Sequence, residues 1–214
     1  MENSFIKKVG GSFRDPSGFL YWKDGKLFRE ICHSYKEQYD CLVESGLYEA
    51  LTRENLLIPH VDERKASDDK KDYKTIRPER IVFISYPYEW CFSQMKAAAL
   101  LTLKIQKIAL EHGMSLKDGS AYNIQFRCGR PILIDTLSFE KYIEGKPWIA
   151  YGQFCRHFLA PLVLMRYVDS RLCQLSKQYM DGIPLDLASK LLPKKTFFNL
   201  SILSHIHLHA RSQK

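Results

Sequence analysis

No apolar run in the sequence is long enough to span a membrane. The longest, Phe158 to Met165, is short and carries Pro161 inside it, whereas a spanning helix needs about 20 apolar residues. Met1 to Pro16 has no apolar stretch of the kind that marks a secretory signal. No Cys-x-x-Cys pair occurs among Cys32, Cys41, Cys91, Cys128, Cys155 and Cys173, which excludes a zinc ribbon and a compact disulfide framework. Thiols so dispersed in apolar surroundings act as small buried hydrophobes. Internal repeats and low-complexity stretches are absent too. A reduced, cytoplasmic protein is the expectation.

What is present is a globular composition. The 214 residues are 45% hydrophobic and 13% aromatic, enough for a sizeable core. The formal charge of +8 would suit an anionic partner. Its Lys and Arg are interleaved with acids and no basic-aromatic motif accompanies them, so nucleic acid is not the expected partner.

Gly18 to Trp22 and Lys26 to Ile31 are β-prone stretches on either side of Lys23-Asp24-Gly25, and Asp-Gly is a strong hairpin signal. The turn at Asp15-Pro16-Ser17-Gly18 allows a strand before them. His33 to Leu57 reads as helix in two pieces, broken near Ser45-Gly46. Asp62 to Arg80 is charge-rich and reads as a loop with room for a short edge strand. Ile81 to Tyr86 is a continuous apolar, β-branched run, the pattern of a buried strand, stopped by Pro87.

From Ser93 to His112, Ala98, Leu101, Ile105, Ile108 and Ala109 recur at helical spacing, with Lys96, Lys104 and Lys107 opposite. Gly113 is placed to cap this helix. Strands at Tyr122 to Arg127 and Pro131 to Asp135 flank Cys128-Gly129-Arg130. Tyr151 to Gln178 is helical with a break at Pro161, and Asp186 to Leu192 is a further short helix. The order predicts an α+β chain: a sheet lobe over 1–86, a mainly helical lobe over 87–204, and a tail or linker over 205–214 leading toward a further domain.

One segment carries chemistry. Asp118 is followed five residues later by Asn123, and Asp135 stands twelve beyond that at the end of a hairpin strand. Phosphoryl transfer needs a carboxylate to orient the attacking hydroxyl and hard oxygen ligands for magnesium. In this pattern Asp118 is the base, and Asn123 and Asp135 hold the metal. With a helix before the loop and a hairpin after it, the segment resembles the kinase-like fold, and aminoglycoside-type phosphotransferases more than protein kinases.

That resemblance implies Mg2+ and ATP as cofactors. It places Arg29 on the phosphates, with Glu37 or Glu44 of the following helix as its partner, and the hinge at Tyr86-Pro87-Tyr88. Tyr86, Tyr88 and Trp90 could stack on adenine or serve as core aromatics. The sequence departs from the kinase pattern in having Arg where Lys is usual, Leu116-Lys117 before the Asp, and no Gly-x-Gly-x-x-Gly loop. A pseudokinase is therefore an alternative.

Longer phrases point to a second resemblance. Phe13 to Gly18, Ile84 to Trp90, Ser115 to Asn123, Ile134 to Glu140, Asp181 to Pro193 and His205 to Ala210 together resemble the N-terminal region of bacterial SAM-dependent methyltransferases, nodulation-protein-like members among them. The likeness spans essentially the whole chain. It implies a methyltransferase domain, in cis or in trans, as partner, with SAM bound there. The Asp/Glu-x-Gly-x-Gly turn that binds SAM does not occur in these residues, so this chain is expected to be the accessory half. The implied substrate of the kinase-like half is a small molecule or carbohydrate hydroxyl. His205, His207 and His209 alternate; in an extended segment they would share one side, as a polar face or a metal site.

Overall fold

The computed structural model describes residues 7–9, 16–63 and 72–212. Five strands form one antiparallel sheet: β1 (Lys7–Lys8), β2 (Gly18–Lys23), β3 (Lys26–Cys32), β4 (His60–Glu63) and β5 (Asp72–Pro78), in the order β1-β2-β3-β5-β4. The predicted β2–β3 hairpin is present. Its turn is made by Asp24 at φ 50° and Gly25 at φ 72°, the consecutive left-handed pair that matches the twist of a two-residue hairpin. The Asp15 end of the earlier turn lies outside the described residues.

Two expectations in this region are corrected. The charged stretch after Asp62 contains β5, which pairs with both β3 and β4. Its polar side chains find cross-strand partners: Lys74 with Asp62 at 2.9 Å, Arg77 with Glu63 at 2.6 Å, and the Thr75 hydroxyl with Glu30 at 2.9 Å. The apolar run at Ile81 to Tyr86, conversely, is no strand, and Phe83 is 76% exposed. With β5 already beside β3, and with Pro78 and Pro87 bracketing it, this segment crosses as an extended connection.

Helices α1 (Lys36–Glu44) and α2 (Leu47–Arg53) follow β3 and are separated by Gly46 at φ 78°, as the break at Ser45-Gly46 predicts. Ile31, Tyr35, Tyr39, Ile76 and Leu137 make the core beneath the sheet. The long helix α3 (Phe92–Glu111) buries Ala98, Leu101, Ile105 and Ala109 and leaves Lys96, Lys104 and Lys107 outside. Gly113, at φ 70°, ends it in the left-handed conformation a helix terminus favours. The main core joins α2 and α3 to Trp90, Phe139, Phe154 and Phe158.

After α3 come β6 (Met114–Leu116), paired with β9 (Phe139–Lys141), and between them the hairpin β7 (Ile124–Arg127) and β8 (Arg130–Leu133). Cys128 and Gly129 take φ of 50° and 76° at its tip. The C-terminal helices are α4 (Tyr151–Phe154), α5 (Ala160–Tyr167), α6 (Leu175–Gln178), α7 (Leu185–Leu191), α8 (Leu200–Ile202) and α9 (His209–Ser212). The break expected at Pro161 is instead a π-helical turn, Cys155–Leu159, joining α4 to α5. Its wider hydrogen-bond pattern accommodates the missing proline donor.

The alternating histidines are also corrected. Residues 203–208 are a π-helical turn between α8 and α9, with His207 buried, so the three side chains do not share an extended face. His205 Nδ1 meets the Tyr151 hydroxyl at 2.6 Å and His209 stacks on the same ring, whereas His207 lies between Ser189 and Thr196. Among the described residues no group of three metal-ligating side chains assembles. Nor is any described helix long and apolar enough to cross a membrane.

Candidate functional site

The loop from Lys117 to Asn123 leaves β6 and enters β7, and the chain then returns to Asp135 two residues beyond β8. Backbone bonds hold the two arms together: Lys117 N donates to Ser138 O at 2.8 Å, and Ile134 N donates to Asn123 O at 2.9 Å. Ser120 caps the single turn Ala121–Asn123 by accepting from Tyr122 N. These bonds hold Asn123 against the segment that carries Asp135, while Asp118 stands in the loop between Lys117 and Ser120.

Asp135 is the hub. Its Oδ1 pairs with Arg29 Nη2 at 2.9 Å, and both side chains are largely buried. Leu137 N donates to the same oxygen at 3.1 Å, and the Ser138 hydroxyl donates to Oδ2 at 2.5 Å. Asn123 Nδ2 approaches Ser138 Oγ at 3.4 Å, so Ser138 bridges the two expected metal ligands. Asp118 is held by one oxygen: Ser120 N donates to Oδ1 at 3.0 Å and Gln153 Nε2 at 2.8 Å. Gln153 also accepts from Gly119 N at 2.7 Å, which clamps the loop from α4.

Arg29 lies on the central strand, opposite Leu20 of β2 and Ile76 of β5. Its partner is the Asp135 carboxylate and not the expected helix glutamate. Glu37 points to solvent and pairs with Lys141 at 2.6 Å, an exposed pair of small energetic weight, and Glu44 is exposed. In α1 the inward positions belong to Tyr39 and Leu42, and a carboxylate there would have to lose its solvation.

An apolar cavity of about 230 Å³ lies between the sheet and the connection that follows β5, lined by Leu20, Trp22, Leu27, Ile58, Val82 and Ile134, the residue before Asp135, among others. Arg80 covers the Trp22 ring at 5.5 Å. Tyr86 and Tyr88 do not line this cavity. They stack on each other, 5.4 Å apart, in and beside the turn Pro87–Glu89, where Lys177 covers the Tyr88 ring. Trp90 is a core residue, edge-on to Phe126. Its Nε1 donates to Ser85 Oγ, and Gln125 grips the Ser85 backbone through both amide atoms, which anchors the far end of the connection.

Sequence reasoning missed Gln153, Gln125, Ser138 and the cavity residues. Ser138 had a signal, since an Asp that accepts from the backbone two residues on makes an Asx turn and places the third residue beside its carboxylate. For the glutamines no local pattern exists, because their partners lie 34 and 40 residues away.

Among known proteins, the chain is 32% identical over 209 residues to nodulation protein NoeA of Rhizobium meliloti (strain 1021), a match covering 96% of this chain and 44% of the relative. The chain thus spans less than half the length of that curated relative. No protein-family model matches it. Among solved structures it is similar to vaccinia related kinase 3, over 64% of this chain and 47% of that one, with a TM-score of 0.40 and 12% identity.

Proposed function

We propose that this chain is a kinase-like module that takes a magnesium nucleotide between its sheet and its helices and transfers a phosphoryl group to a hydroxyl of a small molecule or carbohydrate. The observation that carries this reading is the direct linkage of Arg29, Asp135, Ser138 and Asn123 beside an apolar cavity whose lining includes Ile134, the neighbour of Asp135. A flat, apolar base fits such a cavity, and its phosphates would then lie toward Arg29.

The donor set fits a hard divalent cation: a carboxylate and an amide oxygen are what magnesium accepts. Magnesium bound there would neutralise phosphate charge. Asp118 is suited to receive the acceptor's proton. Its Oδ1 is fixed by Ser120 N and Gln153, which orients Oδ2 as the basic oxygen. Arg29 supplies permanent positive charge, and the cavity excludes water from the base.

A second reading, a non-catalytic scaffold of pseudokinase type, is favoured by the saturation of Asp135. Arg29 and Leu137 N take one oxygen and Ser138 the other. On either reading we take the module to be an accessory to a SAM-dependent methyltransferase domain, in cis or in trans. The support is the resemblance of its sequence phrases.

Calorimetric titration with ATP and magnesium separates the two readings. The parent protein should bind only with magnesium, Asp135→Asn should lose that dependence, and Asp118→Asn should bind yet release no ADP. A folded parent that binds no nucleotide would leave the scaffold.

A further inference from the structure

Helix α3 buries one side in the main core and turns an unusual mixture to solvent. Leu100 is 56% exposed, and Leu103 and Leu110 are 43% exposed each. Single exposed leucines are ordinary on a protein surface, but these three are ordered. Lys96, Leu100, Leu103, Lys107 and Leu110 follow one another at steps of four, three, four and three residues and are all exposed. That alternation is the seam of a helix that packs against another helix. Glu111 is the one acid in α3, so the face is basic as well as apolar.

Leu100 also lies in a groove of about 720 Å³ between α3 and the β7–β8 hairpin, with Ala97 and Leu101 of α3 on one wall and Pro131 and Ile132 of β8 on the other. Of the charged residues that line it, Lys104 pairs with Glu54 at 2.6 Å and Arg127 with Glu79 at 2.9 Å. Among the described residues Arg130, also in the lining, pairs with no carboxylate, and neither do Lys96 and Lys107. Strand addition is closed on this side. The backbone of Leu133 is already bonded to Leu56 O and Ile58 N, and Pro131, turned the same way two residues earlier, has no N–H to offer. Recognition here therefore falls to side chains.

We propose that the solvent face of α3, with the groove beside it, docks an acidic amphipathic helix of a partner chain. Its apolar residues would lie on Leu100, Leu103 and Leu110, and its carboxylates would meet Lys96, Lys107 and Arg130. Lys96 to Leu110 extends about 21 Å at the rise of an α-helix, room for about four turns of the partner. Charge selects the partner as much as area does, because a basic helix would set like charges against the seam lysines. The hairpin wall makes the surface concave, which fits a helix laid in a groove better than a flat lipid surface. This inference does not depend on the nucleotide reading.

The experiment measures fluorescence anisotropy of a labelled synthetic peptide titrated with the intact protein. The peptide has roughly 20 residues, with leucine at alternating steps of three and four and glutamate on the flanking positions. A scrambled peptide of the same composition, a peptide with lysine in place of glutamate, and vesicles of phosphatidylserine and phosphatidylcholine are run beside it. The glutamate peptide should bind more tightly than about 100 μM and more weakly as salt is raised. Leu100→Asn should weaken it by about 10-fold, and Arg130→Gln and Lys107→Gln by roughly 2- to 5-fold each. Phe198→Asn, at a residue 92% exposed in the C-terminal segment, should leave it within about twofold. Each variant should melt with the parent, since all four positions face solvent. No saturable binding, equal binding of the scrambled or lysine peptide, or an equal loss in Phe198→Asn would overturn the docking site. Vesicle binding that needs Leu100, without peptide binding, would also overturn it and assign the face to a membrane surface.

Discussion

Replacing Asp135 by alanine tests the hub of the site without any ligand. Its carboxylate meets Arg29 at 2.9 Å, with side-chain exposures of 14% and 10%, and also accepts from Leu137 N and the Ser138 hydroxyl. Removing one partner of a buried pair costs about 3–5 kcal/mol, because the remaining charge keeps its desolvation penalty. The residual exposure of both groups places the expected cost at the lower end, about 3 kcal/mol. For a chain of this length each kcal/mol moves the midpoint by about 2–4 °C, so Asp135→Ala should melt roughly 6–12 °C lower. Arg29→Met should cost less, since Asp135 would keep two donors. The double variant should be more stable than the sum of the single losses predicts, with a coupling of about 2 kcal/mol. Calorimetric melts of the four proteins provide the cycle. A loss below about 1 kcal/mol for Asp135→Ala, or strictly additive losses, would show that the pair behaves as a surface contact and that the hub is misassigned.

Other consequences follow from burial and backbone conformation. His60 and His157 are each held down to about 4, mainly by burial, with the Asp62 charge opposing in the first case and Arg156 reinforcing in the second. The unfolded chain takes up their protons first, so stability should be level above about pH 7 and fall between about 6.5 and 4, by up to roughly 3 kcal/mol for each histidine. Urea midpoints across pH should show this, with a shallower slope in His157→Phe. At Gly182, φ is +89° and an added Cβ would stand 2.5 Å from Arg156 Cβ and 2.9 Å from its backbone carbon. Gly182→Ala should therefore cost about 2 kcal/mol or more. Gly25→Ala, with φ +72° and open space around it, should cost about 1 kcal/mol in the same melts.

Much of the frame was legible because local chemistry dictated it. Asp24-Gly25 specifies its turn, Gly46 and Gly113 end their helices, and the apolar stripe of α3 chooses its buried face. Asn123 and Asp135 also come together, through Ser138, since a hairpin of fixed length connects them. The partner of Arg29 was not legible. A helix carrying two glutamates looked able to supply one, but which face of α1 turns inward is decided by Tyr39 and Leu42. Tyr35, just ahead of that helix, reaches Phe139 from 104 residues away in sequence. Long-range packing of this kind leaves no periodic trace.

The exchange of roles between residues 72–78 and 81–86 shows where pattern reading fails, and it yields a direct test. A strand is central when neighbours pair with it on both sides. β5 achieves that although it is polar, because Lys74, Arg77 and Thr75 each meet an acidic partner on an adjacent strand and Ile76 fills the core beneath, with Tyr73 packed against it. Apolar content in Ile81 to Tyr86 was instead committed to lining a cavity on one side and meeting solvent on the other. Ile76 is fully buried, whereas Phe83 is mostly exposed and lies outside the cavity lining. Ile76→Ala should accordingly cost about 2–5 kcal/mol, and Phe83→Ala should stay within about 0.5 kcal/mol of the parent, although a strand at 81–86 would demand the reverse. Urea unfolding of the two variants decides between them: a large loss at Phe83 with little at Ile76 would restore the buried strand and displace the connection that walls the cavity.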